Sequence, residues 1–451
     1  MSSHMQHETE LSTSVSRTST HSRGELVETE PENAVYLRPM DGGFHAWAYL
    51  LSAWFLELLV WSLPFSYGVF LDFYTTDSAF ANDSSTLLAL VGSLSSGLLY
   101  LTSPIVVSIT NRYPWHKRNA MILGVILCVS GLVAAAFSTK IWQLIITQGI
   151  IYSLGGSLLY FPMLTYLFEW FSKKKGLATG IIFSGTGVGG VVLPFVLENL
   201  LKKYGQRTTL LSLAVAFIVF SLPCLPFIKP RVPIAQAVDM RAINTRFLTY
   251  SPFWILFIAN MLQGLGGFLP YLYLPTFASD LKLGTTSGTL ALAFVNGASI
   301  PGPIFLGWLS DSFDIRWSIL LSSLGSALSV FFLWGFTESL APLLAFACVY
   351  GFLTPSWGAL WPRFVASVDG DDPRQASMLM GIFIASWGIG NVLSAPIASG
   401  LLHPWHFTNK SHAAYGFEGY GPLIMFTGIT LLVSSLGTGY RVLERRWPSR
   451  L

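Results

Sequence analysis

Twelve apolar stretches, joined by short polar connections, account for most of this chain. They run over residues 44–71, 86–109, 119–138, 141–168, 176–200, 208–228, 252–279, 287–309, 317–336, 340–361, 376–402 and 420–440. Each is long enough to cross the ~30 Å apolar core of a bilayer at ~1.5 Å per helical residue. The pattern predicts an all-α integral membrane protein with twelve transmembrane helices. The one sizeable internal polar segment, 229–251, divides them into two six-helix halves, 44–228 and 252–443. Residues 1–43 are polar, rich in Ser, Thr and Glu, and lack the apolar core of a signal peptide. They read as a disordered cytoplasmic tail, with 444–451 as a second, short cytoplasmic tail.

The basic residues set the expected orientation. With the amino terminus in the cytoplasm, twenty of the 26 Lys and Arg residues fall in inner segments, among them Lys173–Lys175, Arg112, Arg231, Arg316, Arg363 and Arg445. The outer loops hold the other six: Lys140, Lys202, Lys203, Arg207, Lys282 and Lys410. Both termini are therefore expected in the cytoplasm, with the plasma membrane as the expected location and the vacuolar membrane as the alternative. Two Asn-x-Ser triplets, beginning at Asn82 and Asn409, fall in outer loops and are candidate glycosylation sites.

Composition narrows the function. The chain is 52% hydrophobic and 11% charged, and a net charge of +3 without a basic, aromatic-interleaved patch does not point to nucleic acid. Cys128, Cys224 and Cys348 lie inside apolar runs, so no disulfide framework is implied. The eight histidines sit in tails or at the ends of spans without metal-ligand spacing, and neither a metal nor another cofactor is implied. With no buried histidine or paired acid to run chemistry, an enzyme is not expected. The expected partners are membrane lipid and a small organic molecule, with a proton as candidate co-substrate and the monomer as the expected state.

Glu57 is the only carboxyl of the first apolar run and falls near its middle. An acid at that depth costs several kcal/mol unless protonated, paired or facing water, which makes it the candidate proton-coupling residue. Gln148, Tyr160, Asn260, Gln263, Tyr271, Asn296, Trp357 and Asn391 are polar or amphipathic side chains deep in other spans, and they are the candidate lining of a central cavity. Each, singly, also serves as a hydrogen-bonding contact between helices.

The glycine-rich run GTGVGGVVLP (185–194) is echoed by GIGNVLSAP (388–396). Gly185, Gly187, Gly189 and Gly190 allow close backbone approach and are the candidate moving surface of a rocking transporter. Asp41-Gly42-Gly43-Phe44 with Trp47, and Trp170-Phe171 with Lys173, Lys174, Leu177, Ala178 and Gly180, resemble the two signatures of the monocarboxylate porters of the major facilitator superfamily, and the stretch 267–302 resembles their fungal members. The likeness extends over 41–443. It implies the major facilitator fold and alternating access. It also implies a latch at the end of the eighth span, in which an acid pairs with basic residues or a helix end; Asp311 and Arg316 are the matching pair. Asp41 is expected to cap the start of the first helix. The family's lactate and pyruvate carriers use a lysine in the first span and an Asp/Arg pair in the eighth; here Phe65, Asn296, Pro301 and Pro303 occupy those regions.

The leading expectation is a secondary active transporter of an organic acid, monocarboxylate-like or another acidic metabolite, with proton coupling through Glu57. The alternatives are an exporter or facilitator of a neutral secondary metabolite or vitamin-like compound, and a nutrient sensor that does not transport.

Overall fold

The computed structural model describes residues 38–76, 80, 85–232, 245–284, 286–369, 373–401, 415 and 419–440. Asn82, Asn409 and both chain ends lie outside them. Among the described residues all regular structure is helical, as expected where every backbone polar group must be satisfied inside its own segment. Eleven helical segments are long and apolar enough to cross a membrane. One of them, Lys175–Cys224, has 50 residues and would extend about 75 Å if straight, more than twice a bilayer core. It turns back at Gly205, whose φ of 72° only glycine adopts without strain. That segment is two crossings, residues 175–204 and 206–224, which brings the number among the described residues to the twelve read from the sequence.

The crossings are numbered in chain order: span 1 (Phe44–Leu71), span 2 (Leu90–Arg112), span 3 (Pro114–Ala136), span 4 (Ile141–Trp170), span 5 (175–204), span 6 (206–224), span 7 (Ser251–Pro275), span 8 (Ser287–Ser312), span 9 (Ile315–Trp334), span 10 (Leu340–Val368), span 11 (Gln375–Ser394) and span 12 (Tyr420–Gly439). Span 1 packs along span 5, and span 7 along span 11. Across the two halves, span 5 meets span 8, and span 11 meets span 2. Each pairing has its counterpart six spans later, so the sequence repeat is also a repeat of contacts.

The two glycine runs follow the same rule. A Cβ on Gly187 would lie 2.6 Å from the Ser299 hydroxyl of span 8, and one on Gly388 would lie 2.5 Å from Tyr100 Cβ of span 2; both contacts cross between halves. A Cβ on Gly189 would lie 2.5 Å from Ser62 Cβ of span 1, and one on Gly390 would lie 2.2 Å from the Met261 carbonyl of span 7; both stay within a half.

Several crossings are broken at one level. Span 1 is interrupted after Pro64, span 2 at Thr102, span 7 at Phe268, span 8 at Ser299 before Pro301, and span 10 at Thr354, beyond which Pro355–Leu360 is a tighter 3-10 helix. Proline and glycine break helices because one lacks the N–H and the other gains entropy by leaving. In a membrane such breaks persist only beside protein or a cavity.

Candidate functional site

The breaks surround a central cavity with about 740 Å³ of space free of protein atoms, counting its open mouth. Eighteen residues line it, and nine of these are aromatic: Trp61, Phe65, Tyr100, Tyr160, Phe183, Phe268, Tyr271, Trp361 and Trp387. Glu57, Thr186, Asn296, Ser299 and Thr354 supply polar atoms, and Pro303 and Pro355 complete the wall at the breaks of spans 8 and 10. The wall holds no Lys, Arg or His.

Glu57 is 3% exposed. Its Oε1 accepts a hydrogen bond from the Thr186 hydroxyl of span 5 at 2.7 Å, while Oε2 has no partner. One turn along the helix, Trp61 Nε1 is also without a partner. The Tyr160 hydroxyl lies near both without reaching hydrogen-bond geometry with either. Trp61 packs against Tyr100 at 4.4 Å between ring centroids and edge-on to Tyr160 at 5.7 Å, so rings from spans 2 and 4 hold the indole beside the acid. Phe65 of span 1 meets Tyr271 of span 7 edge-on at 5.5 Å, a contact between the two halves.

Of the expected lining residues, Tyr160, Tyr271 and Asn296 are in the wall with Glu57. The other five are not. Asn260 spends its whole hydrogen-bonding capacity on structure: Oδ1 accepts from Trp357 Nε1 at 2.8 Å and Trp361 Nε1 at 2.7 Å, while Nδ2 donates to the Phe383 carbonyl and the Ser386 hydroxyl. It fixes the indole of Trp361 in the wall and buries Trp357 behind it. Gln148 accepts from the Tyr74 hydroxyl at 3.3 Å, and Gln263 from the Ser434 hydroxyl at 2.6 Å; both tie neighbouring spans together. Asn391 is buried on span 11, apart from the wall. Sequence reading missed Tyr100, Phe183, Thr186, Phe268 and Trp361 as wall residues. Their signal was indirect: most lie within a few residues of a Pro or Gly at a helix break.

The expected latch differs in its partner. Asp311 does not pair with Arg316. Its carboxylate accepts from the backbone N–H groups of Gly176 and Leu177 at 3.1 and 2.9 Å, at the start of span 5. There the unsatisfied N–H groups and the helix dipole favour an anion. Arg316 pairs instead with Asp314, two residues away, at 3.1 Å. Gly307 and Gly176 allow the approach, since a Cβ on Gly307 would lie 2.2 Å from the Gly176 carbonyl. A second tie between the halves runs from the Ser103 hydroxyl of span 2 to the Gly381 carbonyl of span 11 at 2.7 Å.

Asp41 likewise does not cap its own helix, whose start at Gly43 has no side-chain cap. Asp41 adopts φ 58°, and its carboxylate accepts from the N–H groups of Ser172, Lys173 and Lys174 at 3.0 to 3.1 Å. Partial burial pushes its pKa up, but the three backbone N–H bonds and the Lys174 charge outweigh that and hold it below the ordinary carboxylate value. One helix start thus holds two carboxylates: Asp41 from its own half and Asp311 from the other.

The candidate glycines divide on the same line. Gly187 and Gly190 press on Ser299 and Asn296 of span 8, whereas Gly185 and Gly189 press on Trp54, Leu58 and Ser62 of span 1. Only the first pair lies between the halves. Gly180, against the Pro303 carbonyl, belongs with it.

Residues 49–395 match the family model of the Major Facilitator Superfamily. The chain belongs to that superfamily. Similar proteins include the MFS transporter asaE of Aspergillus flavus, 25% identical over 81% of each chain. Another is the fujikurins efflux protein of Gibberella fujikuroi, 26% identical over 90% of this chain and 85% of the other. Among solved structures, the human organic anion transporter MFSD10 (TETRAN) superposes with a TM-score of 0.62 over 87% of this chain and 99% of its own, at 15% identity. At that identity the likeness speaks for the fold. This member of the superfamily is a multi-pass membrane transporter of a small molecule.

Proposed function

We propose that this protein carries a small, ring-bearing, largely apolar organic molecule through the central cavity by alternating access, coupled to protons at Glu57. One observation carries the reading: a single buried acid with an unpartnered oxygen stands in an aromatic wall built from both halves. A wall of that kind suits a conjugated or partly apolar body, with few polar groups to orient it. The likeness of residues 41–47 and 170–190 to monocarboxylate porters supports an organic acid as cargo. The wall, however, offers a carboxylate no fixed positive charge, so an acid would travel in its neutral form. The likeness to the fujikurins efflux protein supports export as the direction of transport.

The test is flux through proteoliposomes containing the purified chain, with and without a pH gradient, across a panel of ring-bearing acids and neutral compounds. Glu57→Gln, which mimics the protonated acid, is expected to keep exchange of substrate and to lose accumulation driven by the gradient. Unchanged pH-driven accumulation in the Gln variant would remove Glu57 from the coupling step.

A further inference from the structure

We propose that a basic corner on the membrane face opposite the Asp41 and Asp311 caps binds an anionic phospholipid, whose phosphate is held by Arg207, Lys203 and Lys140. Two connections make this corner: residues 137–140 between spans 3 and 4, and residues 198–207 around the turn at Gly205 between spans 5 and 6. They touch. Gln206 Nε2 donates to the Ala135 carbonyl at 2.9 Å, and the Arg207 guanidinium lies 4.5 Å from the centre of the Phe137 ring. Lys140 follows Phe137 by three residues, a reach of at most about 11 Å. Four of the six basic residues expected on this face, Lys140, Lys202, Lys203 and Arg207, thus gather at one corner, and all four are exposed.

The two connections carry one acid, Glu198, and Lys202 pairs with it at 2.7 Å. Among the described residues no carboxylate pairs with Lys140, Lys203 or Arg207. The planar Arg207 fork is therefore open to a phosphate, which it matches with two parallel N–H···O bonds. Two observations point to a lipid rather than a soluble anion. Trp142 and Tyr204 are exposed, and Lys203 Nζ lies 5.3 Å from the Tyr204 ring, an arrangement suited to the level of the headgroups. At helical spacing, exposed Val215, Ile218 and Leu222 continue down span 6 from Arg207, and exposed Ile126 and Val133 down span 3 from Phe137. Acyl chains can lie along these stripes while the phosphate stays at the corner. A zwitterionic headgroup would add its own ammonium to this excess of positive charge, where the one acid is already paired. A net-negative headgroup is selected instead.

The experiment places a bimane fluorophore at Thr208→Cys in the full-length chain carrying Cys348→Ser, reconstituted in phosphatidylcholine vesicles. Increasing fractions of phosphatidylglycerol or phosphatidylcholine, each with a nitroxide on one acyl chain close to the headgroup, quench the fluorophore only at short range. With the basic residues intact, half-quenching is expected at an at least tenfold lower fraction of phosphatidylglycerol, since each basic residue near a lipid surface contributes about fivefold. Replacing Lys140, Lys203 and Arg207 together by Gln should bring the two lipids level, and Glu198→Gln should widen their difference. The same fluorophore at exposed Ser312→Cys, on the opposite face, should read alike with and without the three Gln replacements, which separates loss of the site from loss of fold. Equal quenching by the two lipids before replacement, or a preference that survives the three replacements, overturns the proposal. Loss of the preference in excess inorganic phosphate at constant ionic strength would assign the corner to a soluble anion and overturn it too.

Discussion

Span 5 has two faces built from the same chemistry, glycine contacts and a capping carboxylate, yet they do different work. Toward span 1, Gly185 and Gly189 let two helices of one half lie close, and Asp41 ties the preceding loop to the same half. Toward span 8, Gly176, Gly180, Gly187 and Gly190 let the two halves lie close, and Asp311 ties them together. Under the alternating access proposed above, contacts of the first kind would persist when the halves rock, while those of the second kind would form and break. A stabilising interaction counts for conformational change only if it differs between the two states. Chemistry alone therefore does not tell a structural glycine from a mechanical one.

The largest expected effect sharpens this contrast. In Gly180→Ala the new Cβ would sit 2.1 Å from the Pro303 carbonyl. Overpacking of about 1–3 kcal/mol would fall only on the state in which spans 5 and 8 meet. Flux should drop by roughly tenfold or more, since ~1.4 kcal/mol is a factor of ten, with little change in melting temperature. Gly189→Ala, crowded against Ser62 within one half, should lower the melting temperature by several degrees and leave the balance between states alone. Equal thermal losses in both variants would erase the distinction.

Asp311→Ala comes next. Removing two hydrogen bonds from a carboxylate to a helix start costs about 1–2 kcal/mol, here charged to the closed contact alone. Spin labels at Lys173 and Ser312, both exposed, should report a longer distance in a larger share of molecules. Asp41→Ala should leave that distance unchanged and reduce thermal stability instead. A lengthened distance in the Asp41 variant would mean that its cap, too, acts between the halves.

A smaller effect concerns pH. The folded pKa of Asp41 lies below its unfolded value near 3.9. Its contribution to stability is therefore full above the unfolded pKa and is lost as pH falls through the folded one. Between pH 5 and 3 the melting temperature of wild type should fall slightly faster than that of Asp41→Asn; parallel curves would contradict the cap. Arg316→Ala, which breaks only the local pair with Asp314, should alter neither flux nor the label distance, and a clear change in either would restore Arg316 to the latch.

Much of the architecture was legible in the chain. The lengths of the apolar runs determined the spans, and even the 50-residue helix was separable into two because no straight helix of that length fits a bilayer. The weak repeat between 185–194 and 388–396 proved to carry matching contacts. The site was legible in part, at Glu57, Tyr160, Tyr271 and Asn296: Glu57 stands out in sequence because an acid is costly at that depth. The amides Gln148, Asn260 and Gln263 stand out for the same reason, yet they bond to other helices, and Asn391 is buried outside the wall. A buried amide is costly whether it meets a helix or a ligand, so polarity marks packing contacts and ligand contacts alike.

The sequence by itself determined that this is a twelve-span helical membrane protein in two related halves, with one deep acid and a glycine-rich fifth span, since hydrophobic length and the cost of buried charge act residue by residue. Only the tertiary structure decided which side of a helix each residue meets. Between Gly187 and Gly189 two residues turn the contact by about 200° around the helix, from the other half to its own. That angle, together with the position of the neighbouring spans, assigns Asp311 to the start of span 5 rather than to Arg316 and gathers nine aromatic rings with Glu57 around one cavity. Such partners are far apart in sequence, and no local preference encodes them.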